Sequence, residues 1–356
     1  MERQFYIDLA NKGLRMPIGT DLVLHEKPDA AAIILDGERL GGIIEEAAVR
    51  YRTPLAVGLM DLMLEKSAML EMLGITAGDI PTYHFHEWPG DHLFKKVSGP
   101  GAGPFNRQLQ AHIDAVAFVS RRASGLIPIG MTIGPFSLMT KLLADPITPV
   151  FMAGAGTTAE EDPEVALVEK TLELSTLIIL RSVTEQIKAG AKIILIAEPA
   201  ANRVYFSPKQ LEEGADVYER CVMRPNRRIR ELLEKRGVDL FFHCCGDLTD
   251  SMVRDFASLE PVILSLGSSR KLWEDASLVS PRIVLYGNLP TKKFYSDADA
   301  PLEAVKRSTW EIIGKMHAAG HPHILGSECD VLSVPGAEST IREKVDMFMN
   351  CTCPTF

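Results

Sequence analysis

Short apolar runs alternate with longer amphipathic stretches along most of this 356-residue chain. The short runs are rich in Ile, Leu and Val, and several end in turn-forming or polar residues, as buried strands do. The longer stretches, clearest over 163–189 and 211–236, repeat apolar residues at the helical period. We predict eight strands, over residues 55–60, 81–86, 126–133, 191–197, 238–245, 261–266, 282–287 and 323–326.

The alternation of strands and helices predicts an α/β fold with a parallel sheet and crossover helices. Eight such units fit a (β/α)8 barrel, and a doubly wound sheet is the alternative. No dinucleotide-binding turn follows a predicted strand, because Gly154-Ala-Gly156 has no strand directly before it and lacks a third glycine. We therefore favour a single (β/α)8 TIM barrel over residues 51–350, with residues 1–50 as an N-terminal extension packed on it.

Potential metal ligands follow two of the predicted strands. His243, Cys244 and Cys245 end the run at 238–245, and Cys329 follows the run at 323–326. Because successive strand residues face opposite sides, His243 and Cys245 share one face and Cys244 takes the other. Cys329, at another strand end, can supply a third ligand. One histidine and two cysteines form an open zinc site, whereas buried cysteines without a metal are the competing interpretation.

Other histidine and cysteine pairs are weaker metal candidates. His84 and His86 share a face of the predicted strand at 81–86 and precede Glu87, whereas His321 and His323 lie at the N-terminal end of a strand. Most such histidines are simply hydrogen-bonded. Cys351 and Cys353 have a ligand-like spacing, but they stand in a terminal stretch of a kind that often frays.

Carboxylates follow several predicted strands and are candidates for acid–base or ligand-orienting roles. Asp61, Glu198 and Asp247 each follow a strand, and Glu328 neighbours Cys329. Helix capping is the alternative, and we prefer it for Asp247. We predict catalytic roles for Glu198 and Asp61, since barrel chemistry is concentrated at this end of the strands.

Composition and charge exclude some classes of function. The formal net charge of −9 argues against a nucleic-acid partner, and no apolar run is long enough for a membrane span. The N-terminus lacks a signal-peptide core, and the six cysteines are unevenly spaced, so we expect reduced thiols in the cytoplasm. The Gly-, Pro- and Thr-rich segment 144–162 is either a lid over a substrate or a mobile surface connection.

Four segments, in the right order, resemble the uroporphyrinogen decarboxylase superfamily. They are Ile133-Gly-Pro-Phe-Ser, Ile196-Ala-Glu-Pro, Phe242-His-Cys-Cys-Gly246 and Gly326-Ser-Glu-Cys-Asp330. The chain is most similar to the branch of zinc-dependent methyltransferases that work with corrinoid proteins, over roughly residues 50–345. Three departures are visible: Glu198 replaces the usual Asp, the decarboxylases' N-terminal arginine motif is missing, and segment 144–162 is longer than the family norm.

This resemblance implies zinc on His243, Cys245 and Cys329, and a partner protein that carries a corrinoid (cobalamin). It implies an enzyme that moves a methyl group between cobalt and a small methyl donor or acceptor, such as a methyl ether or a thiol like coenzyme M. We lean slightly towards demethylation of the small substrate. The alternatives are a metal-free decarboxylase and a non-catalytic, zinc-stabilised corrinoid-binding protein. A homodimer is a possible assembly.

Overall fold

A computed structural model describes residues 1–99 and 101–352, and its eight parallel strands form one barrel. The strands are β1 (Arg15–Ile18), β2 (Leu55–Val57), β3 (Ile127–Ile133), β4 (Ile193–Ala197), β5 (Asp239–Cys244), β6 (Ile263–Leu266), β7 (Val284–Tyr286) and β8 (His323–Asp330). They pair in the order β1-β8-β7-β6-β5-β4-β3-β2. The predicted single (β/α)8 TIM barrel is confirmed.

The barrel is nearly closed between β1 and β2. β1 pairs with β8, and its register shifts between Met16 and Ile18. Pro17 lies at this shift, where its lack of an N–H costs no ladder bond. Beyond β1, the Thr20 hydroxyl donates a 2.7 Å hydrogen bond to the Val57 carbonyl at the end of β2. A side chain therefore joins the two strands at this seam.

Sixteen α-helices surround the strands or connect them in the described part of the chain. They are α1 (Arg3–Asn11), α2 (Thr20–Leu24), α3 (Ala30–Ile33), α4 (Gly37–Arg50), α5 (Leu64–Leu73), α6 (His92–Ser98), α7 (Arg107–Arg121), α8 (Pro135–Thr140), α9 (Ile147–Gly154), α10 (Pro163–Lys188), α11 (Pro208–Glu212), α12 (Arg224–Arg236), α13 (Asp250–Ser258), α14 (Leu272–Asp275), α15 (Leu302–Ala319) and α16 (Glu338–Asn350). Short 3-10 turns lie at Ile80–Thr82 and Thr291–Lys293, and a π-helical turn, Glu219–Met223, leads into α12.

The apolar core has two layers, which strand alternation separates. Side chains such as Leu195 and Phe241 fill the barrel interior, whereas Ile196 and Phe242 pack outward against the helices. Helix α1 covers the N-terminal end of the barrel with Tyr6, which is fully buried and donates a 2.7 Å hydrogen bond to the Asp239 carboxylate. The C-terminal end of the barrel is therefore the end left for chemistry.

Two predicted features of the N-terminal part differ in the structure. Residues 1–50, expected to be an extension packed on the barrel, contain strand β1. The predicted strand at 81–86 is wrong: Ile80–Thr82 is a 3-10 turn, and Phe85 pairs by its backbone with Leu142 outside the sheet. The alternating aromatic residues there pack edge-on in a cluster that includes Tyr83 and Phe85. Aromatic packing, and not a strand face, thus explains the period of two.

Segment 144–162 contains helix α9, whose Val150 and Ala153 are buried. Phe151, on the same helix, is exposed. The segment is therefore a packed element with an apolar outer side. No helix in the described ranges combines the length and the hydropathy that a membrane crossing requires.

A buried carboxyl group joins helix α5 to the outer side of the barrel. Glu65 is fully buried, and its Oε1 accepts hydrogen bonds from Thr132 on β3 (2.8 Å) and Ser182 on α10 (3.0 Å). Its Oε2 has no hydrogen-bond partner among the described residues. Burial raises the pKa of Glu65 to about 7, against the hydrogen bonds that favour the ionised form.

Glu65→Gln is expected to make stability less dependent on pH. Because the folded-state pKa of Glu65 is raised, its stabilising contribution is full below about pH 4.5 and is lost as pH rises to about 7. The loss is on the order of 3 kcal/mol, so the variant should gain about that much relative to wild type between pH 5 and pH 8. Urea unfolding at both pH values measures this change. Glu71→Gln, at an exposed position on the same helix, is the control, and an equal trend in both variants would contradict the assignment.

Candidate metal centre

Strand β5 delivers His243 and Cys245 to the interior side of the barrel. In β5, Phe241 points inward and both Phe242 and Cys244 pack outward in the helix layer. The same alternation turns His243 inward, and Cys245 follows directly after the strand. The predicted separation of Cys244 from its two neighbours is confirmed: Cys244 is fully buried, and burial raises the pKa of its thiol.

Strand β8 brings the third residue of the predicted ligand set. Cys329 lies within this strand, which extends four residues beyond its predicted end. One ligand atom each from His243, Cys245 and Cys329 lies within 4.8 Å of the others. These three are the one group of three or more His, Cys, Asp or Glu residues in the described ranges that could hold a metal ion. The donor set suits zinc.

The imidazole of His243 is oriented for a ligand. Its Nδ1 lies 2.8 Å from the hydroxyl of Ser265 on β6, the neighbouring strand. Its Nε2 is buried and has no hydrogen-bond partner among the described residues, in a side chain only 1% exposed. A buried, unpaired ring nitrogen is costly unless something occupies it. With Nδ1 carrying the proton towards Ser265, Nε2 has its lone pair directed at the cysteines' side of the site.

The thiols of Cys245 and Cys329 interact with each other, and this interaction shifts their pKa values in opposite directions. The pKa of Cys245 is lowered, first because the Cys329 thiol donates a hydrogen bond to it, and further by the nearby His243 and Lys292. Cys329, as the donor, keeps its proton more tightly, so its pKa is raised. The hydrogen bond between the two sulfurs therefore favours ionisation of one thiol before the other, and a bound cation would favour the loss of both protons.

Gly267 lets the Cys245 backbone approach β6 closely. A Cβ on this glycine would lie 2.6 Å from the Cys245 carbonyl oxygen, too close for any other residue without a shift. A Cβ on Gly246 would likewise lie 2.5 Å from the Cβ of Asn202. Glycine at both positions thus permits a close approach beside the cluster that any side chain would obstruct.

Glu198, predicted to be catalytic, does not join the cluster. It follows Ala197, which points inward, so it faces the helix layer. Its Oε1 accepts a 2.6 Å hydrogen bond from the backbone N–H of Ser137 in α8, and its Oε2 accepts one of 3.0 Å from Asn226 in α12. Full burial raises its pKa. These contacts fit a brace between two helices and β4. A catalytic role for Glu198 stays a prediction.

Asp61, also predicted to be catalytic, follows β2 at the C-terminal end of the barrel. Its Oδ1 accepts a 2.8 Å hydrogen bond from the backbone N–H of Met63, and its Oδ2 accepts one of 2.8 Å from Gln108. It is partly exposed and is not in the metal-binding group. The first contact is a local turn that leads into α5, and the second ties this turn to α7. A catalytic role for Asp61 stays a prediction.

The other two strand-end carboxylates divide between surface and site. Asp247 is exposed and pairs with Arg203, and Thr249 is the residue that caps α13, so the predicted capping role of Asp247 is wrong. Glu328 is buried beside Cys329, where its Oε2 accepts a 2.6 Å hydrogen bond from the Ser268 hydroxyl. Glu328 thus lies at the cluster without belonging to the ligand group.

The remaining candidate ligands lie elsewhere. His84 is partly exposed and His86 is exposed, in the segment that is not a strand. His321 and His323 bind the backbone carbonyls of Ile283 and Gly287 through their Nε2 atoms. The Cys351 carbonyl accepts a hydrogen bond from Arg15, and Cys353 lies outside the described residues.

The whole barrel, and not only this cluster, matches known proteins. Residues 48–351 match the family described as Uroporphyrinogen decarboxylase (URO-D). The chain belongs to the URO-D family. Its fold is similar to that of a methyltransferase from Methanosarcina mazei, with 15% sequence identity and a TM-score of 0.66 over 97% of this chain and 98% of that one. No curated protein matches the sequence. The superfamily resemblance carried by the four sequence segments is confirmed.

Two residues at the site of this URO-D family member were missed by sequence reasoning. Ser265 sits in a short apolar strand, where a lone serine carries no signal of its partner. Lys292 lies in the 3-10 turn after β7, and its ammonium interacts with Cys245 and Cys329. A polar residue after a strand was a usable signal for Lys292, since the same rule selected the carboxylates.

Ser265→Ala is expected to weaken metal binding about 10- to 100-fold, because the partner that orients a histidine ligand is lost. Titration against a chromophoric chelator measures the affinity. Ser182→Ala, a change at an equally buried serine in α10, is the matched control and should leave the affinity unchanged. Equal affinities for wild type and Ser265→Ala would show that Ser265 does not orient His243.

Proposed function

We propose that this protein is a zinc-dependent methyltransferase that moves a methyl group between a small substrate and the cobalt of a corrinoid protein. The observation that carries the proposal is the convergence of His243, Cys245 and Cys329 within 4.8 Å at the C-terminal end of the barrel, with His243 Nε2 unpaired. The Methanosarcina mazei protein with the similar fold is a methyltransferase, which supports the same reaction class.

His243 Nε2 and the sulfurs of Cys245 and Cys329 would hold the zinc ion. Bound there, zinc supplies Lewis acidity towards a substrate oxygen, or holds a thiol as its more nucleophilic thiolate. The residues around the ligands suit this set: Ser265 orients the imidazole, and Gly267 leaves room for the backbone of Cys245. Three protein ligands leave a coordination position for the substrate, as catalytic zinc sites require.

Two features support the docking of a large partner at the C-terminal end of the barrel: the opposite end is filled, and apolar side chains are exposed on segments that follow the strands. Helix α1 and the packed interior fill the opposite end. Large apolar side chains are exposed on segments that follow strands β3, β4, β7 and β8. They are Val204 (63%), Leu332 (58%), Phe151 (52%), Tyr295 (49%) and Ile147 (44%). Exposed apolar surface around a site is typical of protein interfaces. We propose that the corrinoid protein docks there and brings cobalt to the substrate.

In the direction we favour, the substrate is demethylated. The methyl carbon leaves its oxygen and forms a bond to cobalt(I), which supplies the electron pair of the new bond, while the oxygen keeps the pair of the broken one. Zinc binding needs Cys245 and Cys329 in their reduced form, which fits the reducing environment of the cytoplasm. The family name would also fit a metal-free decarboxylase. That alternative does not account for a buried histidine that faces two cysteines.

Cys329→Ala is expected to abolish zinc binding and to lower methyl transfer at least ~100-fold, because the metal loses a thiolate ligand. Cys244→Ala should keep both properties, since Cys244 lies in the helix layer. Elemental analysis gives the zinc content. Transfer to free cob(I)alamin from aryl methyl ethers, and from methylcobalamin to thiols, gives the activity.

Each alternative predicts a different result in the same experiment. Zinc binding by the wild-type protein without transfer in either direction would favour a non-catalytic zinc protein. Decarboxylation of a polycarboxylate that survives chelation would favour the metal-free enzyme. Zinc loss from Cys244→Ala with retention by Cys329→Ala would overturn the ligand assignment.

A further inference from the structure

Lys292 places a positive charge beside the two cysteines of the metal centre. It lies in the 3-10 turn Thr291–Lys293, which follows β7, and it is exposed at the mouth of the barrel. Its ammonium group lies close enough to both sulfurs for electrostatic interaction. The same side chain can therefore meet the sulfurs on one side and an incoming substrate on the other.

Glu328 holds this turn in position. The backbone N–H of Lys292 donates a 3.3 Å hydrogen bond to Glu328 Oε1. Glu328 Oε2 accepts hydrogen bonds from the backbone N–H (3.2 Å) and the hydroxyl (2.6 Å) of Ser268. Glu328 precedes Cys329 in β8, so the position of the lysine is tied to the strand that supplies a ligand. The location of Lys292 is thus built into the site.

The charges of Cys245, Cys329, Glu328 and Lys292 are balanced by one divalent cation. Two thiolates and the Glu328 carboxylate carry three negative charges, and Lys292 carries one positive charge, which leaves a balance of −2. A divalent ion makes the centre neutral. An anion added at the metal takes the centre to −1, whereas without Lys292 it would be −2. Because the two cysteines and Glu328 are at least partly buried, this difference matters more than it would between fully exposed charges.

We propose that Lys292 stabilises the negative charge that forms on a substrate oxygen or sulfur atom at the metal. This rests on the proposed function. It also names a substrate class: methyl donors or acceptors whose reacting atom becomes an anion, such as ethers, thioethers and thiols. Methylammonium compounds are excluded, because they release a neutral amine and their positive charge would be repelled by Lys292.

The test compares Lys292→Met with Lys292→Arg and with Lys293→Met. Lys293 is the adjacent lysine in the same turn, is also exposed, and is the matched control. The metal site is loaded with cobalt(II) in place of zinc, and 2-mercaptoethanol is the probe. Binding of this thiol releases its proton to solvent and adds to the near-ultraviolet sulfur-to-cobalt absorption that the two cysteine ligands already give, so the increase in this absorption measures thiol binding. Zinc affinity is measured in parallel by chelator competition.

Lys292→Met should bind the thiol at least about tenfold more weakly than wild type, while its zinc affinity stays equal or rises. A general structural defect would instead weaken both. Lys292→Arg should restore thiol binding, because it restores the charge, and Lys293→Met should match wild type. Methylammonium salts should give no methyl transfer with the wild-type protein.

Three results would overturn the inference: no thiol binding by the wild type, unchanged thiol affinity in Lys292→Met, or loss of zinc from that variant. The binding assay uses neither a corrinoid nor methyl transfer. A wild-type protein that binds the thiol with the predicted dependence on Lys292, but transfers no methyl group, would therefore refute the proposed function and leave the role of Lys292 standing.

Discussion

Closure of the strand ring is the constraint on which the rest of the structure depends. It brings the end of β5 and the end of β8 to one mouth, although Cys245 and Cys329 are far apart in sequence. The closure is itself irregular: β1 is short, contains Pro17, and reaches β2 through the Thr20 hydroxyl. Helix α1 then fills the other end of the ring. Because the interior is packed with apolar side chains, partly buried charges at the mouth interact more strongly than they would in water.

Strand parity decides which polar residues reach the mouth. Ala197 and His243 are partners in the parallel register of β4 and β5, and both face inward. One residue later the direction reverses, so Glu198 and Cys244 both belong to the helix layer. Glu198 there accepts hydrogen bonds from Ser137 and Asn226, at 2.6 and 3.0 Å. A polar residue at a strand end therefore does not by itself predict a barrel site. It must also lie an even number of positions from an inward-facing residue of the same strand, so that both face the interior.

The sequence predicted the barrel and the three clustered residues because both rest on repeated patterns. Strand–helix alternation runs along most of the chain, and alternation within β5 separates Cys244 from His243 and Cys245. The parts it could not predict rest on single contacts. β1 has only four residues, one of them a proline, which is too few for a pattern. Residues 81–86 alternate because Tyr83 and Phe85 pack with other aromatic rings. Ser265 is recognisable only from its 2.8 Å distance to His243 Nδ1.

The surroundings of the cluster restrict its chemistry further than the ligands alone do. A histidine with two cysteines is compatible with many reactions, and a neutral centre by itself favours no class of substrate. Lys292 and Glu328 add one charge of each sign, but they are not equivalent: the three hydrogen bonds to Glu328 engage both its oxygens and turn it towards the protein, whereas Lys292 stays exposed at the mouth. An incoming molecule therefore meets the cation first. The proposed role of Lys292 therefore rests on this asymmetry in hydrogen bonding as well as on the charge balance of the centre.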